Sequence, residues 1–262
     1  MSENNPVDAK YLKEAARIVE ALKLKSYAHM AICPGHTVLD AGCGAGVDTV
    51  KLADLVGAMG KVVGVDMDET MLAEADKTLA DHPLKSSVVH ESGDVTALKY
   101  QSETFDSVRA ERLLQVLPLE LEESVVAELL RVLKPGGRLV LVDTDWATAS
   151  VASGDDLFER KLVRFFAESM RPNGYAGRNL HALLAKAGLE DLRVDVFPIV
   201  SHSVARTPFG GDWLHEGAVA KGIATHEQMQ AWRARLEALE QSGEFFSSVN
   251  MVIVSGKKPQ RI

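Results

Sequence analysis

The segment Asp40-Ala41-Gly42-Cys43-Gly44-Ala45-Gly46 offers the first chemistry, because three glycines alternate beside a carboxylate between a short apolar run and a helical one. Glycine lets the backbone turn tightly and approach a ligand with no side chain between them. Twenty residues beyond Gly46, Asp66 ends a second apolar run, Val62-Val63-Gly64-Val65. From there a carboxylate can accept both hydroxyls of a ribose, so a nucleotide-like ligand is expected. The sixth position counted from Gly42 is Val47, where the dinucleotide fingerprint wants a small residue for helix packing, and no pyrophosphate-binding run follows. NAD is therefore disfavoured.

The elements that must hold these residues are legible as alternating periods. A helical face recurs at Ala9, Leu12, Ala16, Val19 and Leu22, and Pro34-Gly35 breaks the chain before the strand-like Thr37 to Asp40. Helices are expected over Val47 to Val56, Glu69 to Leu79 and Leu119 to Leu133, and strands over Val62 to Asp66, Ser87 to His90, Phe105 to Ala110 and Arg138 to Val142. Pro135-Gly136-Gly137 separates the last of these helices from its strand. Beyond Asp143 the pattern loosens into a helix from Leu157 to Met170, a helix from Arg178 to Ala187 and a strand from Leu192 to Val200. A helical pair spanning Trp213 to Leu239 and a final strand from Ser247 to Val254 complete it. The series predicts an α/β, Rossmann-like doubly wound sheet of about seven strands with an antiparallel last strand and helical lid insertions. One domain is expected over 1–262. It comprises an N-terminal helical lid at 1–35, a cofactor-binding core at 36–145, and variable substrate-cap insertions at 146–177 and 205–243.

With these motifs in place, the stretch from Thr37 to Asp143 resembles class I S-adenosylmethionine-dependent methyltransferases, in the ubiquinone/menaquinone-biosynthesis-like branch that acts on small molecules. The resemblance rests on the glycine turn, Val65-Asp66-Met67, Ser92-Gly93-Asp94-Val95, Phe105-Asp106-Ser107-Val108 and Leu130-Arg131-Val132-Leu133-Lys134-Pro135-Gly136-Gly137, in that order. It implies that Asp40, Gly42, Cys43 and Gly44 surround the methionine part of S-adenosylmethionine, that Asp66 holds the ribose, and that Met67, Gly93, Asp94 and Val95 meet the adenine. Ala110 or Glu111 would lie near the methionine end. A sulfonium is a permanent cation, and the carboxylates of Asp40 and Asp66 suit it.

Ligands of such sheets bind outside the carboxyl ends of the strands, which directs attention to the acceptor side. Arg112 is placed to clamp an acidic group and Asp145 to orient or deprotonate a nucleophile. Tyr11, Tyr27, Trp146, Arg171, Asn173 and Arg178 are candidates for the acceptor pocket, and His202 and His215 for a general base. Related enzymes often carry a histidine where Val116 stands. Methyl transfer is an in-line displacement that needs alignment and exclusion of water, and the residues leave oxygen, nitrogen and carbon acceptors open. Two alternatives remain at this level: a cyclase or scaffold of the same fold that binds the cofactor without methyl transfer, and an NAD-dependent reductase.

Composition narrows the setting. The chain has 262 residues, 46% of them hydrophobic, enough for one large core. Its formal charge of -8, with no basic cluster beyond Lys257-Lys258, speaks against nucleic acid as a partner. The polar N-terminus and the lack of a long apolar run predict a cytoplasmic protein without membrane association, a monomer or homodimer. Cys33 and Cys43 are expected to be reduced, and the histidines have no spacing that suggests a metal.

Overall fold

The computed structural model describes residues 20–260. Tyr11 and most of the first expected helical face therefore lie outside the described residues. The described chain opens with α1 (Glu20–Met30), then alternates β1 (Thr37–Ala41), α2 (Val47–Val56), β2 (Lys61–Asp66), α3 (Glu69–Leu79), β3 (Val88–Ser92), β4 (Phe105–Glu111), α4 (Glu122–Val132) and β5 (Leu133–Val151). It continues through α5 (Asp156–Phe165), α6 (Ala176–Lys186), β6 (Glu190–Ser201), α7 (Asp212–Ala220), α8 (His226–Gln241) and β7 (Ser247–Lys257).

The strands form one seven-stranded sheet in the order β3-β2-β1-β4-β5-β7-β6. The five from β3 to β5 are parallel, and β7 runs antiparallel to both β5 and β6. This is the Rossmann-like arrangement expected, with the final strand reversed. Both faces are covered, so the central strands are mostly apolar, with Asp40 and Arg109 as buried exceptions. Val38, Val140, Val142 and Ile253 meet α1 and α2 on one face, while Leu39, Leu139, Leu141 and Val254 meet α4 and α6 on the other. Strand order reverses beside β1, which opens a crevice at its carboxyl end where a ligand belongs.

Two elements depart furthest from their expected bounds. β5 does not end near Val142 but runs on to Val151, because β7 supplies a second ladder: Asp143 pairs with Val252, Asp145 with Asn250, and Val151 with Ser247 across a register shift. The helix expected to reach Met170 stops as an α-helix at Phe165 and finishes as a π turn over Phe166–Met170. That wider turn seats Phe166, which is fully buried, against Trp146, Phe209 and Trp213 at centroid separations of 4.9, 5.4 and 5.3 Å. Phe166, Trp146 and Phe209 belong to a hydrophobic cluster that joins Trp146, Leu162 and Phe165 to Leu214, Trp232 and Leu236. Among the described residues no helix is long and apolar enough to cross a membrane.

Candidate active site

The glycine turn is a backbone construction hung on β2. Gly42 and Cys43 both donate to the Val65 carbonyl at 2.7 and 3.0 Å, and Gly46 donates to Cys43 at 3.1 Å. Gly42, Gly44 and Gly46 take φ of 73°, 51° and 71°, a region that side chains disfavour. Gly46 has a second reason to lack a side chain, since a Cβ there would stand 2.8 Å from Ala75 Cβ and 2.9 Å from its Cα. Cys43 is buried beneath the turn, where a Cβ on Gly64 would meet its sulfur at 2.9 Å. Burial pushes its thiol up, so its side chain serves packing and offers no nucleophile.

At the end of β2, Asp66 accepts the Gly44 N–H through Oδ2 at 2.8 Å and the Asp68 N–H through Oδ1 at 3.0 Å. Met67 beside it is 67% exposed, which removes core packing as an explanation for that thioether. Ser92 lies in register with Asp66, and Gly93 donates to the Asp66 carbonyl at 3.1 Å, which brings the Gly93-Asp94-Val95 segment alongside. Asp94 accepts the Thr96 N–H and hydroxyl at 2.8 and 2.7 Å, and these bonds hold its carboxyl below the usual range. Asp40, the turn, Asp66, Met67 and this segment therefore gather at the carboxyl ends of three adjacent strands.

Under the turn lies a buried set of charges. Arg109, in the middle of β4, is 0% exposed. Its Nη1 stands 3.5 Å from Asp40 Oδ1 and 3.4 Å from Asp48 Oδ2, its Nη2 donates to Glu111, and its Nε donates to Ser26 Oγ at 3.1 Å. Lys23, from α1, pairs with Asp48 Oδ2 at 2.6 Å and Glu111 Oε1 at 3.0 Å. The Tyr27 hydroxyl donates to Asp48. Burial opposes ionisation of Asp48 and Glu111, but Arg109 and Lys23 beside them hold both carboxyls below the usual range. Asp40 has only Arg109 at the longer distance, so burial prevails and raises its carboxyl. Its Oδ2 is buried without a partner.

Tyr27 therefore belongs to this cluster, with its hydroxyl on Asp48. Asn173 is 4% exposed and donates its side-chain amide to Glu122 on α4, a bond that pins the 171–175 segment. His202, beyond the edge strand β6, bonds the Phe245 carbonyl at 3.1 Å, and His215 pairs with His226 at 3.2 Å between α7 and α8. Among the described residues these contacts tie both histidines to helices and loops beyond the sheet edge, and neither bonds a carboxylate.

The carboxyl end of β4, the stretch of β5 just beyond it and the 171–178 segment hold the remaining acceptor candidates. Arg112 takes a positive φ of 53°, a strained conformation immediately beyond Glu111, and its charge acts on Asp143 and Glu111 against the burial that opposes their ionisation. Asp145 is 4% exposed, accepts Arg178 Nε through Oδ2 at 2.7 Å, and leaves Oδ1 buried without a partner. Trp146 donates to Gln115 Oε1 at 2.5 Å, and the Arg171 guanidinium stands 5.2 to 5.3 Å from the rings of Trp146, Phe166 and Trp213. Asp143 accepts N–H groups from Thr144 and Gln115 at 2.8 and 3.2 Å, yet burial raises its carboxyl to about 7. Lys23, Asp48, Arg109, Gln115 and Asp143 were not singled out from the sequence. For Arg109 a signal existed, since a charge inside an apolar strand must find buried partners.

Comparison with known proteins agrees with this geometry. Residues 32–188 match the family described as the methyltransferase domain. A demethylmenaquinone methyltransferase of Lactococcus lactis is 30% identical over 79% of this chain and 79% of its own length. An uncharacterized 37.1 kDa protein in transposon Tn4556 of Streptomyces fradiae is 31% identical over 95% of this chain and 71% of its own. Among solved structures, a putative methyltransferase from Bacillus halodurans superimposes with a TM-score of 0.62 at 22% identity, covering 92% of this chain and 100% of the other. The chain belongs to the methyltransferase-domain family. It is a class I S-adenosylmethionine-dependent methyltransferase, and neither the cyclase nor the reductase alternative is favoured.

Proposed function

We propose that the glycine turn and the charges below it hold S-adenosylmethionine, and that a small-molecule acceptor is presented to it from the carboxyl ends of β4 and β5. When bound, the cofactor supplies an electrophilic methyl group on a sulfonium. The single observation that carries the assignment is Asp40, buried in the turn with one oxygen unpartnered, because an orphaned buried carboxylate oxygen calls for a cation or donor. Gly42 and Gly44 keep the approach to it free of side chains. Asp66 holds the ribose through the lone pairs its two backbone bonds leave open, Met67 and the Gly93 to Val95 segment flank the adenine, and Glu111 and the Ala110 backbone border the methionine end.

On the acceptor side, Asp145 presents its buried Oδ1 to a proton on the incoming nucleophile while Arg178 orients the carboxylate through Oδ2. Arg112 meets a negatively charged substituent of the acceptor. The segments at 146–177 and 205–243, joined through the Trp146 and Trp232 cluster, cover the site and exclude water during transfer. The acceptor of the relative from Lactococcus lactis is a demethylated menaquinone by its name. A ring hydroxyl or acidic ring carbon next to a buried carboxylate base is the acceptor chemistry that fits Asp145.

The deciding experiment is calorimetric titration of wild type and Asp66→Ala with S-adenosylmethionine, S-adenosylhomocysteine and NADH. Binding of the two adenosyl ligands that weakens on substitution supports the site. NADH binding without them would return the reductase reading.

A further inference from the structure

We propose that the buried cluster of Lys23, Asp40, Asp48, Arg109 and Glu111 reads the charge of the cofactor, favouring the sulfonium over the neutral thioether left after transfer, with Lys23, Asp48 and Arg109 setting that preference. The inference rests on the cofactor site proposed above and adds a specificity function to residues that do not themselves face the crevice.

The argument is a count of charges and a matter of geometry. Three carboxylates, Asp40, Asp48 and Glu111, share two cations, Lys23 and Arg109, within 2.6 to 3.5 Å. Counting the groups in direct contact, with all three acids ionised as a bound cation favours, the set is one positive charge short. The shortfall is localised, because Asp48 and Glu111 each touch both cations, whereas Asp40 has Arg109 alone through Oδ1 and nothing on Oδ2. The unmatched negative charge therefore sits in the glycine turn. In surroundings this dry, charge interactions extend over several ångströms with little screening.

S-adenosylmethionine carries one more positive charge than S-adenosylhomocysteine, and the two are otherwise nearly identical in shape. A site that lacks one positive charge supplies the differential interaction that shape cannot. The consequence for turnover is that the spent product leaves more readily than the fresh cofactor, which limits inhibition by product. A cluster whose purpose was only to fasten α1 to the sheet would need balanced charges and would leave no carboxylate oxygen without a partner.

The test is the ratio of dissociation constants for S-adenosylhomocysteine and S-adenosylmethionine, measured by calorimetry on the full chain. Asp48→Asn balances the cluster in nearly the same shape, and the ratio is expected to fall by about tenfold. Lys23→Met leaves the cluster two positive charges short and is expected to raise the ratio. Because both ligands are measured on the same preparation, partial unfolding weakens them together and leaves the ratio unmoved, and if one variant fails to fold the other gives the opposite sign. A ratio unchanged in the folded variants, while Asp66→Ala still weakens both ligands, overturns the charge-reading role and spares the cofactor site. Indifference of both ligands to Asp66→Ala overturns the site itself, and this inference with it.

Discussion

The carboxylate of Asp66 accepts the backbone N–H of Gly44 at 2.8 Å, so the residue that ends β2 also sets the shape of the turn that ends β1. A ribose contact and a loop contact are thereby vested in one side chain. Asp66→Ala is expected to weaken S-adenosylmethionine binding by roughly tenfold to a hundredfold, through loss of a charge-assisted acceptor and loosening of the turn. Asp66→Asn, which keeps one acceptor oxygen, is expected to fall between the two. Titration calorimetry of the three proteins measures the order, and equal affinities across them would remove Asp66 from the site.

Protonation of Asp40 should oppose cofactor binding. Its carboxyl is raised first by burial, with Arg109 and Lys23 acting against that and Asp48 and Glu111 adding to it. A bound cation favours the ionised form, so affinity for S-adenosylmethionine rises as the pH climbs through the raised value and falls as the carboxyl takes up a proton. Binding near neutral pH is then expected to release protons, seen as a dependence of the apparent binding enthalpy on the ionisation enthalpy of the buffer. Identical enthalpies in buffers of different ionisation enthalpy would show that Asp40 is already ionised in the free protein.

Asp143 makes a stability prediction of definite sign. Its carboxyl is raised from the ordinary aspartate value to about 7, chiefly by burial, so the folded protein binds a proton that the unfolded chain has released in that interval. Stability therefore falls as pH rises from the ordinary carboxylate range to neutrality, and the loss is complete above the folded-state value. Asp143→Asn imitates the neutral acid. Its melting temperature relative to wild type is expected to increase by roughly 3 °C or more between about pH 5 and about pH 8. A difference independent of pH would contradict the buried, raised carboxyl.

Gly46 tests the packing beneath the turn separately from ligand contact. Gly46→Ala places a methyl group 2.8 Å from Ala75 Cβ at a φ of 71°, so α3 must shift while the backbone stays strained. A loss of roughly 1–3 kcal/mol in denaturant unfolding is expected. Gly57, with φ of 66° and open space where its Cβ would stand, carries the strain without the clash, and Gly57→Ala should cost less. Equal losses at the two positions would mean that the approach of α3 contributes nothing.

Much of the scaffold was legible without coordinates because its signals are local. The bounds of α2 and α3 follow from helical period and from the residues that start them, and Asp68 does cap α3 by accepting the Thr70 and Met71 N–H groups. The glycine turn and Asp66 are equally local, since positive φ restricts residue type at each position by itself. The length of β5 was not, because a strand continues only where a partner supplies its hydrogen bonds, and β7 lies about a hundred residues downstream.

The sequence by itself determined the order of strands and helices, the crevice beside β1 and the acids at its mouth, all through period, backbone preference and spacing. Tertiary structure alone decided that Tyr27 bonds Asp48 and Asn173 bonds Glu122, and that Lys23 meets Asp48 and Glu111 across 25 and 88 positions of chain. It also decided that Asp40 is left one donor short. A buried charge must be matched wherever packing brings another to it, and which faces of α1, α2 and β4 meet is a property of the assembled core that no local stretch of residues contains.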